Sequence, residues 1–205
     1  GAMVRHLARL GATHYQLDVH AKNPFLWPQV RSRLKAILSR ENADLVHVRS
    51  RAPAWIALPA AAALGIATVS TVHGRFTTLS ALKRIYNRKL LKTDHVIAIS
   101  NYVRDLIISQ HVEVENRLTV VHRGVDIDLF NPNNVNQTRI VNLVEGLAIP
   151  EDEPVIMLPA RATKWKGHRI LLQALAKIKD RPFICLMIGA GDGKPAFVSE
   201  LVRYG

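Results

Sequence analysis

Short apolar runs rich in β-branched residues alternate with helix-period segments along most of this chain. No other feature restricts its fold as much. Residues 45–48, 67–72, 96–99 and 118–121 read as strands, with a further one over 15–19. Between them, 26–40 reads as a helix with Leu26, Val30, Leu34, Ile37 and Leu38 on one face. The Ala-rich stretch 53–64 reads as a helix ending at Gly65, a residue suited to the left-handed turn that closes a helix. Residues 80–91 form a basic helical pattern and 101–110 another. Strands that alternate with helices and are apolar on both faces imply an α/β chain with a parallel sheet covered on both sides.

The rhythm breaks over 131–153. This segment opens on Asn131-Pro132-Asn133-Asn134, carries a modest helical pattern over 137–147 and closes on Pro150-Glu151-Asp152-Glu153. It reads as a connector between a first domain, 1–130, and a second, 154–205. Beyond it follow a strand (155–158), a helix (167–179), a strand (183–188) and the start of a helix (195–204). Two strands and two helices are too little for an independent core of about 50 residues, so the second domain is expected to be only begun.

Composition narrows the partners. A hydrophobic content of 48% in 205 residues belongs to a globular protein with a core. A net charge of +12 favours anionic partners: nucleic acid, phosphorylated ligands or an acidic membrane surface. The one cysteine, Cys185, lies in the apolar run 183–188 and reads as a buried, inert thiol in a reducing compartment. The longest apolar stretch, 53–69, is interrupted by Pro59 and Gly65 and is too short to span a bilayer. No secretory signal opens the sequence.

In open parallel sheets, ligands bind outside the carboxyl ends of the strands. That rule nominates six loops: 49–51, 73–75, 100–101, 123–126, 161–166 and 189–193, of which four carry Arg or Lys. The most pointed is Pro159-Ala160-Arg161-Ala162-Thr163-Lys164-Trp165-Lys166-Gly167, a strand end, a basic turn and a helix start. Outward backbone N–H groups and the macrodipole make a helix N-terminus electropositive, so Arg161 and Lys166 beside it suit a diphosphate. A solvated basic loop explains the same residues. His73, directly after a strand, suits hydrogen bonding or proton transfer, or a structural role. The nine histidines show no metal-ligand spacing, and no metal site is expected. The run 189–193 matches a glycine-rich phosphate loop or a tight turn equally. Over 82–92, Lys83, Arg84, Arg88, Lys89 and Lys92 edge an apolar stripe, which suits either an anionic membrane surface or a solvated helix face.

Taken together these loops resemble the family 4 (group 1) glycosyltransferases of the GT-B fold. Arg161…Lys166-Gly167 is similar to that family's Arg-x4-Lys-Gly element. His73-Gly74 resembles its N-domain histidine, and residues 94–100, ending at Ser100, resemble its strand-to-Ser element. Arg123-Gly124-Val125-Asp126-Ile127-Asp128-Leu129-Phe130 resembles the Gly-Val-Asp-x3-Phe signature that closes the N-domain. Ile188-Gly189-Ala190-Gly191 is similar to the family's Val-Gly-Asp-Gly turn, with Ala190 where an acid is usual. Gly1-Ala2-Met3-Val4 looks like the start of an N-domain helix that relatives precede with further elements. No Glu-x7-Glu pair follows Lys166-Gly167.

The resemblance implies GT-B-like, Rossmann-type parallel sheets, with the N-terminal domain largely present, its first βαβ portion missing, and the C-terminal domain only begun. It implies retaining, metal-independent transfer of a sugar from a nucleotide-sugar to a hydroxyl acceptor, with no cofactor. Arg161, Lys166 and Gly167 would hold the donor diphosphate and His73 would contact the transferred sugar. Gly74, Ser100, Arg123, Gly124, Gly189 and Gly191 would line substrate loops. An anionic glycolipid or lipopolysaccharide-type glycan is the acceptor it suggests, at the cytoplasmic face of a membrane that residues 82–92 would touch. Two other readings stand beside it: an inactive, truncated relic of that family, and a basic nucleic-acid-binding protein. Against the second, the sequence carries no helix-turn-helix, zinc finger or aromatic RNA-binding motif, and its basic residues are dispersed.

Overall fold

The computed structural model describes residues 2–19, 24–74, 80–189, 191 and 195–204, in two compact units, 1–125 and 126–205. The first opens with α1 (Ala2–Arg9) and α2 (Trp27–Arg40) and continues as β1 (Leu45–Val48), α3 (Arg51–Ala62), β2 (Ala67–Val72) and α4 (Ala81–Arg88). A 3-10 turn, Lys89–Leu91, extends α4, after which come β3 (His95–Ala98), α5 (Asn101–Ile108) and β4 (Leu118–Val120). The four strands are parallel in the order β1-β2-β3-β4, with Val48 beside Ser70, Ser70 beside Val96 and Val96 beside Leu118.

Period-two alternation sorts the strand residues. Val48, Val72, Val96 and Ala98 are buried on one face against Ala54, Ala57 and Leu58 of α3, Leu90 and Leu91 of the turn after α4, and Val103 and Ile107 of α5. Each large aliphatic side chain removed from water there contributes about 2 kcal/mol. The alanines of α3 carry only a Cβ, which lets the helix lie close to the sheet. Gly65, at φ +67°, makes the left-handed turn after α3.

Three expectations change. The run 15–19 is not a strand: β-propensity needs a neighbouring ladder, and among the described residues the sheet runs from β1 to β4 only. Tyr15 instead donates its hydroxyl to Glu41 Oε1 at 2.5 Å. Second, among the described residues the other face of the sheet is only partly covered: Thr71 is buried and Val69 and Ile97 half-buried there. Leu45, His47, Ala67, His95 and Thr119 are exposed on that face, where His47 Nε2 lies 2.7 Å from Thr71 Oγ1 and His95 Nε2 lies 2.9 Å from Thr119 Oγ1. Every crossover steps the same way along the sheet, so right-handed connections send α3, α4 and α5 to a single face. Third, Cys185 is half-buried rather than buried, although desolvation still pushes its thiol pKa up.

The second unit contains a 3-10 turn (Pro132–Asn134), α6 (Gln137–Gly146), β5 (Val155–Pro159), α7 (His168–Leu175), β6 (Ile184–Ile188) and α8 (Pro195–Tyr204). Strands β5 and β6 are parallel, in register from Val155 beside Ile184 to Pro159 beside Ile188. Ala162, Phe197 and Leu201 form its buried cluster, with Leu172 and Val198 against them. Helix α6 buries none of its residues.

Candidate functional site

In the first unit, chemistry gathers at the carboxyl edge of the sheet. β2 ends at the fully buried Val72, and His73 follows it at the rim. One residue past β4, the Val121 N–H still donates to Ala98 O at 2.9 Å, and the chain then leaves the sheet through Arg123. The Arg123 side chain reaches back so that Nη2 lies 2.6 Å from His73 Nδ1. Burial first, then the positive charge of Arg123, then Arg49 and His47, hold the His73 pKa below the ordinary histidine value.

The remaining candidates of this unit separate by role. The Ser100 hydroxyl accepts from the Val103 N–H at 3.2 Å, so it caps α5. Around Gly74 and Gly124 a Cβ would meet nothing within 4 Å, so crowding does not explain glycine at either position. Arg51 Nη1 donates to the buried Asn87 Oδ1 at 2.8 Å, which ties the start of α3 to α4. Arg75 lies outside the described residues.

In the second unit it is the backbone that is shaped. The Ala160 N–H donates to Ile188 O at 2.9 Å, and the Ala162 N–H to Gly189 O at 3.3 Å, so the chain after β5 is stitched to the chain after β6. Gly189 sits at φ +110°, and a Cβ there would lie 2.7 Å from Ala160 O. Only glycine fits that approach. Residues Lys164–Lys166 form a 3-10 turn, and Gly167 at φ +85° swings the chain into α7. No side chain caps α7. Arg161 is exposed and Lys166 half-buried, its Nζ 4.2 Å from the centre of the Trp165 ring. Among the described residues, neither cation pairs with a carboxylate. Two cations, an uncapped helix start and a bent backbone make this turn electropositive. A Cβ on Gly191 would meet nothing within 4 Å, and Ala190, Asp192 and Gly193 lie outside the described residues.

The basic helix carries its apolar residues outward: Leu82 is 79% and Ile85 60% exposed, beside exposed Lys83 and Arg84. Arg88 is engaged by Glu113 at 2.7 Å, and Lys89 Nζ sits 5.5 Å from the centre of the Trp55 ring. Among the described residues no helix is long and apolar enough to cross a membrane.

Sequence reasoning did not single out His47, Asn87 or His168. The alternation of β1 places His47 on the exposed sheet face, a signal present in the sequence. Nothing local marks Asn87, whose burial arises from packing. His168 follows Lys166-Gly167 directly and is 2% exposed, edge-on to Phe197 at 6.2 Å between ring centres.

Residues 4–129 match the family model described as Glycosyltransferase Family 4. The D-inositol 3-phosphate glycosyltransferase of Xylanimonas cellulosilytica is 34% identical over 87 residues, 42% of this chain and 21% of that protein. Spore coat protein SA of Bacillus subtilis is 24% identical over 160 residues, 77% of this chain and 42% of its own length. Among solved structures, a glycosyltransferase from Rickettsia africae matches with a TM-score of 0.83 at 32% identity, over 100% of this chain and 54% of that one. Anabaena HepE, solved in complex with UDP-glucose, matches with a TM-score of 0.78, over 100% of this chain and 55% of its own. Its 18% identity makes that a likeness of fold. The chain thus spans between 21% and 55% of the length of these proteins.

Proposed function

This chain belongs to Glycosyltransferase Family 4, and from that premise we propose that it serves the transfer of a sugar from a nucleotide-sugar to a hydroxyl acceptor. The observation that carries the proposal is the electropositive turn 161–167, where the uncapped start of α7 stands beside Arg161 and Lys166. When a glycosidic bond to a nucleoside diphosphate breaks, negative charge grows on the departing phosphate. Fixed N–H dipoles and cations stabilise that charge without reorganising, so the reaction needs no metal. Arg161, Lys166 and the backbone at Gly167 take that part, and His73 contributes a contact to the transferred sugar. The transfer is read as retaining. HepE, which shares the fold, was solved in complex with UDP-glucose, which makes that nucleotide-sugar the first to test.

The acceptor is an anionic glycolipid or a lipopolysaccharide-type glycan on the cytoplasmic side of a membrane. The outward Leu82 and Ile85 with Lys83 and Arg84 support this reading, because such a stripe gains both apolar burial and attraction to acidic headgroups.

Calorimetry of the chain with UDP-glucose tests the donor site. Lys166→Ala is expected to weaken binding about tenfold, or ~1.4 kcal/mol, with an unchanged unfolding midpoint. Unchanged affinity, or loss of folding in step with loss of binding, would overturn the assignment. Binding to duplex DNA that falls steeply with salt, with no response to UDP-glucose, would favour a nucleic-acid protein.

A further inference from the structure

A guanidinium carries only N–H groups and keeps its charge at any pH a protein meets. In the 2.6 Å contact between Arg123 Nη2 and His73 Nδ1, arginine therefore donates and the imidazole nitrogen accepts. An imidazole that accepts at Nδ1 carries its one proton on Nε2 and is neutral. Adding a second proton would set N–H against N–H and positive charge against positive charge. Among the described residues, the charged and titratable groups that act on His73 all push the same way: Arg123 from the loop after β4, Arg49 from the loop after β1, and His47 of β1. Among the described residues no carboxylate shifts it.

We propose that Arg123 is a positioning residue that fixes His73 as its neutral Nε2–H tautomer, making His73 a fixed hydrogen-bond donor to substrate oxygen and not a proton shuttle. A shuttle must gain and lose a proton near neutral pH, and the Arg123 contact blocks the nitrogen that would have to gain it. A fixed donor instead offers one N–H in one direction, which suits a sugar hydroxyl or phosphate oxygen. The inference rests on the glycosyltransferase reading for the identity of that oxygen. It does not rest on that reading for the tautomer.

Long-range proton–nitrogen spectra of the uniformly labelled chain test it, with His73→Gln assigning the ring. Between pH 6 and 8, His73 is expected to show an unprotonated Nδ1 and a protonated Nε2. In Arg123→Ala the two nitrogen shifts should converge as tautomers mix, and the titration should move up. Arg123→Lys, which keeps a cationic donor, should restore part of the separation. A protonated Nδ1 in the unaltered chain, or spectra unmoved by Arg123→Ala, would overturn the proposal. These signals need no ligand, so they stand apart from any failure of UDP-glucose to bind, which would count against the donor reading alone. Where UDP-glucose binds, Arg123→Ala and His73→Gln should each weaken it, and the double variant should lose no more than His73→Gln alone. Additive losses would show that Arg123 does not act through His73.

Discussion

At the carboxyl edge of β1–β4 the polar groups are tied to one another, whereas in the turn after β5 the backbone is bent and, among the described residues, Arg161 and Lys166 stand outside ion pairs. His73 is held by Arg123, and Ser100 closes the start of α5. In the second unit Gly167 and Gly189 adopt positive φ, α7 opens without a side-chain cap, and Arg161 and Lys166 keep their charge available. The difference follows from what each edge presents. A neutral donor must be aimed, which takes a side-chain partner. An electropositive turn concentrates N–H groups and charge, which takes backbone shape.

The contrast can be broken most severely at Gly189. Gly189→Ala places a Cβ 2.7 Å from Ala160 O at φ +110°, and should destabilise the second unit by about 3 kcal/mol. Amide hydrogen exchange should show the loss as faster exchange at the Ala160 and Ala162 N–H groups while the β1–β4 amides keep their protection. Unchanged exchange at those two groups would mean that the stitch between the two loops is not rigid. A smaller effect belongs to the other edge: Ser100→Ala removes the α5 cap and should cost about 1 kcal/mol, read as faster exchange at the Val103 and Arg104 N–H groups. An equal effect of both variants at both edges would undo the distinction between side-chain and backbone control.

The smallest effect lies at the opposite end of the sheet. Asp94 Oδ2 accepts from the Thr68 hydroxyl at 2.6 Å and from the Thr68 N–H at 2.7 Å, bonds that hold its carboxyl below the ordinary carboxylate value. The unfolded chain therefore binds the proton more readily, so this contribution is present above the unfolded pKa and fades as pH falls through the lower folded one. Asp94→Asn should flatten the acid limb of stability against pH slightly. A steeper limb in the variant would contradict the assignment.

Much of this was readable from the chain because the relevant physics is local. The strands 45–48 and 67–72 coincide with β1 and β2, since β-branched runs bounded by turn residues have few other uses. Gly65 marked the end of α3 for the same reason that it adopts φ +67°. The run 15–19 misled because strand-like composition says nothing about whether a neighbour exists to pair with. The His73–Arg123 contact joins residues 50 positions apart, and no spacing rule connects them.

Residue order alone marks most of the strands and helices, the parallel sense of the sheet and the cations in the loops after the strands. Composition, periodicity and turn chemistry act within a few residues, so they are legible one window at a time. The order β1-β2-β3-β4, the face on which α3, α4 and α5 lie, the need for glycine at 189 and the meeting of Arg123 with His73 come from the tertiary structure. Each of those depends on groups far apart in the chain meeting at a particular distance, and that distance is set by packing.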